Sequence, residues 1–121
     1  MLFLGAPGTL FHQLAPFLPL FFLGVLAGSE EAADILEAEG VSTDIWSATS
    51  WIELYRDAVA CDRWNLLHPG EKEKVPYVQQ ALQGEEGVFV SANDWIKLTA
   101  GQLAPWMPQD FTALGTDGFG L

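Results

Sequence analysis

His68 and Cys61 are the side chains of this sequence best suited to acid–base or nucleophilic chemistry. His68 directly precedes Pro69, where a helix is predicted to end, and an imidazolium is favourable beside the negative end of a helix dipole. We interpret it as structural, with a general base as the alternative, because the sequence offers no residue to orient it. Cys61 lies on the apolar side of the same predicted helix beside Asp62. Burial and a neighbouring carboxylate both raise a thiol's pKa, so Cys61 is predicted to be a core residue.

A glycine-rich segment, Gly115–Gly120, follows a predicted strand, the position where open α/β sheets usually carry ligand loops. It has no lysine after its glycines and does not fit G-x-G-x-x-G, so it matches neither common phosphate-binding pattern. We expect these glycines to let the backbone turn tightly against a neighbour. The alternative is a loop at a domain or subunit boundary.

Composition excludes several classes of function. The 121 residues suffice for one domain, and half of them are hydrophobic, which allows a packed core. Sixteen acidic residues against five basic ones give a net charge of −11, which repels phosphate backbones and excludes nucleic acid as a partner. A single cysteine excludes an internal disulfide and a multi-thiolate metal site. With only His12 and His68, a histidine-rich metal centre is not expected.

The first 27 residues differ from the rest. Residues 1–29 contain no charged side chain, and Leu14–Ala27 is strongly apolar. A secretory signal is one interpretation, although no basic residue precedes the apolar stretch. A membrane span is not expected, because the stretch is short and contains Pro16 and Pro19. We therefore expect an apolar segment over 1–27 and an α/β domain over 28–121.

Capping residues and apolar spacing predict alternating helices and strands. Ser29 and the acids after it begin a helix that Gly40 ends, and Ser50 with Glu53 forms a capping box before a second helix. Alternation with short apolar strands favours a mostly parallel sheet flanked by helices, an α/β fold. The remaining expected elements are a strand over Val41–Ser47, the second helix over Trp51–Leu67, a short extended piece over Val75–Val78, a strand over Val88–Val90, a helix from Ser91 to Leu103 and a strand over Phe111–Leu114.

Five tryptophans are many for this length, and some must be core residues. Trp64 and Trp106 lie near the ends of predicted elements. Aromatic residues are enriched in buried contacts between chains, so these two are candidate interface anchors.

Several segments together resemble one family, the C-terminal domain of the homodimeric pyruvate dehydrogenase first component, a transketolase-like thiamine-diphosphate enzyme. The resemblance extends from about Ala32 to Gly120, and two of its segments are specific as a pair, Arg63–Pro69 and Leu114–Gly120. The other segments are Ala38–Ser50, Glu53–Asp57 and Val75–Val78.

The resemblance implies an open α/β domain that supports a dimer and does not itself carry the chemistry. The intact enzyme would decarboxylate pyruvate on thiamine diphosphate with Mg²⁺ and pass the acetyl unit to a lipoyl group, in the cytoplasm. Implied partners are the remaining domains, a second subunit and the dihydrolipoyl acetyltransferase component. No segment here resembles the family's cofactor motif, which begins Gly-Asp-Gly and ends Asn-Asn. No residue is therefore assigned as catalytic, cofactor-binding or metal-binding, and the chain alone is expected to be inactive.

Two departures from the family pattern lead to further expectations. Residues 1–27 do not resemble the family, which fits a mis-called start or a targeting segment. The chain stops at Leu121, inside the glycine segment, so we expect an incomplete domain whose exposed apolar surface causes association. Two alternatives stay open: a non-enzymatic module that dimerises, and a small exported protein with an N-terminal signal.

Overall fold

The computed structural model describes residues 2–4, 11–13, 30–41, 43–85, 87–107 and 111–118. The strands are β1 (Leu2–Leu4), β2 (Phe11–Gln13), β3 (Thr43–Ser47), β4 (Val88–Ile96) and β5 (Phe111–Thr116). The helices are α1 (residues 30–38), α2 (Trp51–Leu67), α3 (Tyr77–Ala81), α4 (Leu98–Gly101) and a short 3₁₀ helix, Ala104–Trp106.

The five strands form one sheet in the order β2-β3-β1-β4-β5. The pairings β2/β3 and β4/β5 are parallel, and for β4/β5 this is what alternation with helices predicts. The strands β1 and β2 were not predicted from the sequence. The central strand β1 runs antiparallel to both of its neighbours, with Leu2 in register with Ile45 on one side and Val90 on the other. The expected α/β class is confirmed. The sheet is mixed rather than parallel, because β1 is antiparallel to both β3 and β4.

Helix α1 ends at a glycine that is held by two backbone hydrogen bonds, just before β3. Gly40 adopts φ +87, its N–H donates to the carbonyl of Glu37, and the N–H of Val41 donates to the carbonyl of Leu36. This pair of bonds is a Schellman motif, whose left-handed residue favours glycine. The predicted helix end at Gly40 is therefore confirmed, as is the strand after it. The proposed cap Ser29 lies outside the described residues.

The core lies between one face of the sheet and helices α2 to α4. Phe89 at the middle of the sheet is fully buried, and Leu82 and Leu103 cover it from the helical side. Burying large apolar side chains on both layers is the main source of stability in such a fold. The buried cluster comprises Trp46, Ala48, Trp51, Val78, Leu82, Phe89, Ala100, Leu103 and Met107.

Helix α2 begins where the capping box predicts. The Ser50 hydroxyl accepts a hydrogen bond from the N–H of Glu53 at 3.2 Å, and the helix continues to Leu67. Ala58 and Cys61 face the core, as the apolar spacing predicts, and Trp51 is buried as well, whereas Leu67 is exposed. The boundaries and the buried side of α2 are thus encoded locally.

Replacing Ser50 by alanine is expected to lower the free energy of unfolding by about 1 kcal/mol, because an amide of the first turn loses its acceptor. Ser50→Thr is the matched control, since threonine keeps a hydroxyl oxygen that can accept the same N–H. Urea titrations followed by circular dichroism measure both changes. Equal effects of the two substitutions would show that the cap contributes nothing.

The extended piece predicted over Val75–Val78 is wrong over its second half, because Tyr77 and Val78 are the first residues of α3. Pro76 is extended (φ −56, ψ 145), but it serves as the residue before α3. The N–H of Tyr77 donates to Oδ2 of Asp57 at 2.7 Å, so a carboxylate of α2 caps this short helix across 20 positions of sequence. A tertiary contact therefore overrides the local pattern.

The helix predicted from Ser91 to Leu103 is also wrong over most of its length. Residues 91–96 continue β4, and only Leu98–Gly101 is helical. Pairing with β5 holds both ends of this segment extended, with Ser91 in register with Ala113 and Ile96 with Thr116, and the register shifts between them. The S-x-x-D pattern that resembles a cap is therefore part of a strand.

Candidate functional site

A cleft of about 370 Å³ opens at the carboxyl end of β3, where the chain passes into α2. Open α/β sheets commonly bind ligands at this edge. Two wall residues precede or begin the helix, three lie on its first two turns, and one belongs to α3. The lining residues are Thr49, Ser50, Glu53, Leu54, Asp57 and Tyr77.

The two carboxylates of the cleft each have one oxygen engaged within the chain. Oε1 of Glu53 accepts from Nη1 of Arg56 at 2.8 Å, and Oδ2 of Asp57 accepts the N–H of Tyr77 at 2.7 Å. Each carboxylate has a second oxygen with lone pairs to offer. With Leu54 and the Tyr77 ring as apolar walls, the cleft suits a cationic group on an apolar stem, such as an arginine or lysine side chain.

His68 does not line the cleft. The ring of His68 stacks on Trp64 with centroids 4.3 Å apart, and its Nδ1 donates to the Trp64 carbonyl at 2.7 Å. A carbonyl only accepts, so Nδ1 carries a proton and the bond is to the last turn of α2. This geometry supports the structural interpretation, with the imidazole capping the carboxyl end of the helix.

The surface around His68 is a compact aromatic and cationic cluster. Nζ of Lys74 lies 4.5 Å from the Trp64 ring centroid. The Asn65 side chain donates to the Lys74 carbonyl at 2.9 Å and accepts its N–H at 2.8 Å. These contacts fix the segment after α2 against the last turns of that helix.

Cys61 is buried on the inner side of α2. Burial raises the pKa of its thiol, and the negative charge of Asp57 raises it further. Both effects reduce the thiolate fraction, which is the reactive form. The structure therefore places Cys61 in the core, as predicted from the apolar spacing.

The folded chain is accordingly expected to react with iodoacetamide at pH 8 at least about tenfold more slowly than the urea-unfolded chain. The raised pKa means that alkylation of the folded chain should reach half its maximal rate at a higher pH than alkylation of the unfolded chain. Mass spectrometry of timed samples measures both rates. Equal rates and equal pH profiles would contradict a buried, protonated thiol.

The glycine segment begins inside the sheet. Gly115 and Thr116 are the last residues of β5, and the Thr116 carbonyl accepts the N–H of Lys97 at 2.9 Å. A Cβ on Gly115 would lie 2.6 Å from the Trp95 carbonyl oxygen, so glycine permits a close approach of two backbones here. Residues 119–121 lie outside the described ranges.

The tryptophans divide between the core and intrachain contacts. Nε1 of Trp106 donates to Oδ2 of Asp62 at 3.0 Å, and the Trp106 ring meets Tyr55 edge-on at 5.9 Å. Trp106 thus holds the 3₁₀ helix against α2, and the Trp64 ring stacks on His68. Both candidate interface anchors therefore make contacts within the chain. Trp95, which falls in the helix predicted after Ser91, instead lies on β4 and is 56% exposed.

Within the described ranges, no three side chains of His, Cys, Asp or Glu converge as a group that could hold a metal ion. The described helices also include none with the length and apolarity needed to cross a bilayer. The apolar stretch Leu14–Ala27 falls outside the described residues.

Comparison with known proteins identifies the domain. Residues 25–121 match the transketolase-like TK C-terminal domain family. The chain is 45% identical over 98 residues to the pyruvate dehydrogenase E1 component of Pseudomonas aeruginosa, a match that covers 79% of this chain and 11% of that protein. It is 46% identical over 91 residues to the E1 component of Mycobacterium tuberculosis, covering 74% and 10%.

A third relative is the E1 component of Escherichia coli, 44% identical over 98 residues, covering 79% of this chain and 11% of that protein. The chain thus spans about a tenth of the length of the curated relatives it matches. The family match covers most of the chain and agrees with its α/β architecture. The chain therefore belongs to the transketolase-like TK C-terminal domain family.

Proposed function

We propose that this chain forms part of the C-terminal domain of a pyruvate dehydrogenase E1 component and has a structural role there. The observation that carries this proposal is the 44–46% identity to three such components over 91–98 residues. In the intact protein, the reaction would be decarboxylation of pyruvate and transfer of the acetyl unit to a lipoyl group. Thiamine diphosphate would supply the carbanion chemistry of that reaction.

The role of this chain in that protein is structural. Among its described residues no three metal-ligating side chains converge, and none of them is assigned to Mg²⁺. The cleft also offers carboxylate oxygens, which repel a diphosphate. We therefore derive no step through thiamine diphosphate and assign residues 28–121 to domain packing and support of a dimer.

Partners follow from this assignment. The apolar side chains exposed on α2, β4 and β5 suit contacts with the remaining domains of the enzyme and with a second subunit. In the pyruvate dehydrogenase complex, the dihydrolipoyl acetyltransferase component would be a further partner. The complex would lie in the cytoplasm.

Isothermal titration of thiamine diphosphate with Mg²⁺ into the full 121-residue chain tests the absence of a cofactor site. We expect no saturable heat from a sample whose folding is verified by circular dichroism. Tight, Mg²⁺-dependent binding would overturn the structural role.

The identity itself is tested by reading the DNA beside this coding sequence in all frames. A coding region for a thiamine-diphosphate-binding domain immediately upstream is expected. Its absence there would count against the assignment to an E1 component.

A further inference from the structure

Asp117 and Gly118 form the only Asp–Gly step of the sequence, and no asparagine precedes a glycine. In such a step the backbone nitrogen of the glycine can attack the side-chain carboxyl carbon of the aspartate and close a cyclic imide. Glycine favours this attack, because it has no Cβ to obstruct the carboxyl and has the widest choice of φ and ψ. Every other aspartate is followed by a residue with a side chain. The sequence therefore singles out one step for this intramolecular chemistry.

The structure leaves both reacting groups of this step accessible. The Asp117 side chain is 89% exposed, and a Cβ added to Gly118 would meet no atom within 4 Å. The step follows Thr116, the last residue of β5 and the last that pairs with β4. Within the described ranges, no residue accepts a hydrogen bond from the Gly118 N–H. Rotation that brings this nitrogen onto the carboxyl carbon therefore breaks no hydrogen bond of the sheet and meets no neighbouring group.

Two contacts hold the step in its present conformation. Nζ of Lys97 lies 2.6 Å from Oδ1 of Asp117, and the Thr116 hydroxyl donates to the Gly118 carbonyl at 2.7 Å. The hydrogen bond and the charge of Lys97 lower the pKa of the Asp117 carboxyl. The ionised carboxylate is a poor electrophile, because oxygen leaves as water only after protonation. Both side chains of the ion pair are more than half exposed, so the pair is weak and slows the attack without abolishing it.

We propose that Asp117–Gly118 is a modification site, at which the chain converts spontaneously to isoaspartate at a rate restrained by Lys97. The Gly118 nitrogen forms a bond to Cγ of Asp117 and gives up its proton, and a carboxyl oxygen leaves as water. The resulting succinimide is reopened by water. Attack on the original main-chain carbonyl leaves the chain running through Cγ, which is isoaspartate. Water lost in the first step is regained in the second, and nothing is oxidised or reduced.

The product alters the backbone where the chain leaves the sheet. Isoaspartate adds a methylene group to the main chain, and the former main-chain carbonyl becomes a free carboxylate. The carboxyl group that pairs with Lys97 in the present structure is then part of a peptide bond. The modification therefore removes this ion pair and redirects the chain directly after β5.

Incubation of the full 121-residue chain at about 37 °C and pH 7 for about four weeks tests the site. Isoaspartyl methyltransferase with labelled S-adenosylmethionine counts isoaspartate, and electron-transfer fragmentation of the tryptic peptide Leu98–Leu121 locates it. This peptide also contains Asp110, which is followed by Phe111. We expect isoaspartate at residue 117 in at least about tenfold excess over residue 110, because only there is the attacking nitrogen that of a glycine. Equal amounts at the two positions, or none at residue 117, would overturn the proposal.

Variants separate the attack from its restraint. Gly118→Ala should slow the reaction at least about fivefold, because a methyl group then obstructs the approach. Lys97→Gln should accelerate it severalfold, since the carboxyl loses the cation that keeps it ionised. The matched control is Lys72→Gln, at an exposed lysine of another segment, which should leave the rate unchanged. Circular dichroism verifies that the variants fold. An unchanged rate in Gly118→Ala would rule out the imide route, and an unchanged rate in Lys97→Gln would rule out the restraint.

Discussion

Replacing Phe89 by alanine is expected to lower the free energy of unfolding by about 3–5 kcal/mol. Phe89 is fully buried near the start of β4 and belongs to the apolar cluster between sheet and helices. Truncation removes the buried ring and leaves a cavity that β4, held between two strands, cannot close. Because small domains have stabilities of only about 5–15 kcal/mol, this loss is a large share of the total.

Urea unfolding followed by circular dichroism measures the change. The control is Leu114→Ala on the neighbouring strand β5, where the side chain is 52% exposed and little apolar surface returns to water. That variant should lose less than about 1 kcal/mol. Similar losses for the two variants would mean that the buried cluster around Phe89 does not form.

The elements that sequence reasoning placed correctly are those encoded within a few residues. Helix α2 has its cap at Ser50 and its apolar side repeated at helical spacing, and the end of α1 needs only the left-handed Gly40. Each of these signals acts through hydrogen bonds between residues three to five positions apart. They therefore require no knowledge of how distant segments meet.

The errors arise where distant segments decide the backbone conformation. Residues 91–96 have the composition of a helix start, yet pairing with β5 keeps them extended. Within that strand, the Asn93 side chain accepts the N–H of Trp95 at 2.9 Å, in the stretch between Ala92 and Ile96 where the register shifts. Long-range pairing outweighs a capping preference of about 1 kcal/mol.

The cleft was not predictable for the same reason. Its acidic wall comes from α2 and its aromatic wall, Tyr77, from a helix that the sequence did not indicate. The bond from the Tyr77 N–H to Asp57 creates both α3 and that wall. The sequence did place His68 correctly at the end of α2, because Pro69 marks that position, but the stacking on Trp64 depends on side-chain geometry.

Gly115→Ala is the second substitution with a large expected effect, a loss of about 2–3 kcal/mol in the free energy of unfolding. The added Cβ would lie 2.6 Å from the Trp95 carbonyl oxygen and 3.0 Å from the Lys97 nitrogen. Both are backbone atoms, so relief requires β4 and β5 to move apart. That movement breaks the 2.9 Å bond from the Lys97 N–H to the Thr116 carbonyl.

Gly118→Ala is the matched control, because a Cβ there meets nothing within 4 Å and should cost less than about 0.5 kcal/mol. A local readout separates strand displacement from general instability. The hydrogen bond from Lys97 to Asp117 lowers the pKa of that carboxyl in the native chain. Displacement of β5 should let the pKa of Asp117 rise towards its ordinary value in Gly115→Ala, measured by NMR titration, and leave it lowered in Gly118→Ala. An unchanged Asp117 titration together with unchanged stability would mean that β4 and β5 do not approach closely at Gly115.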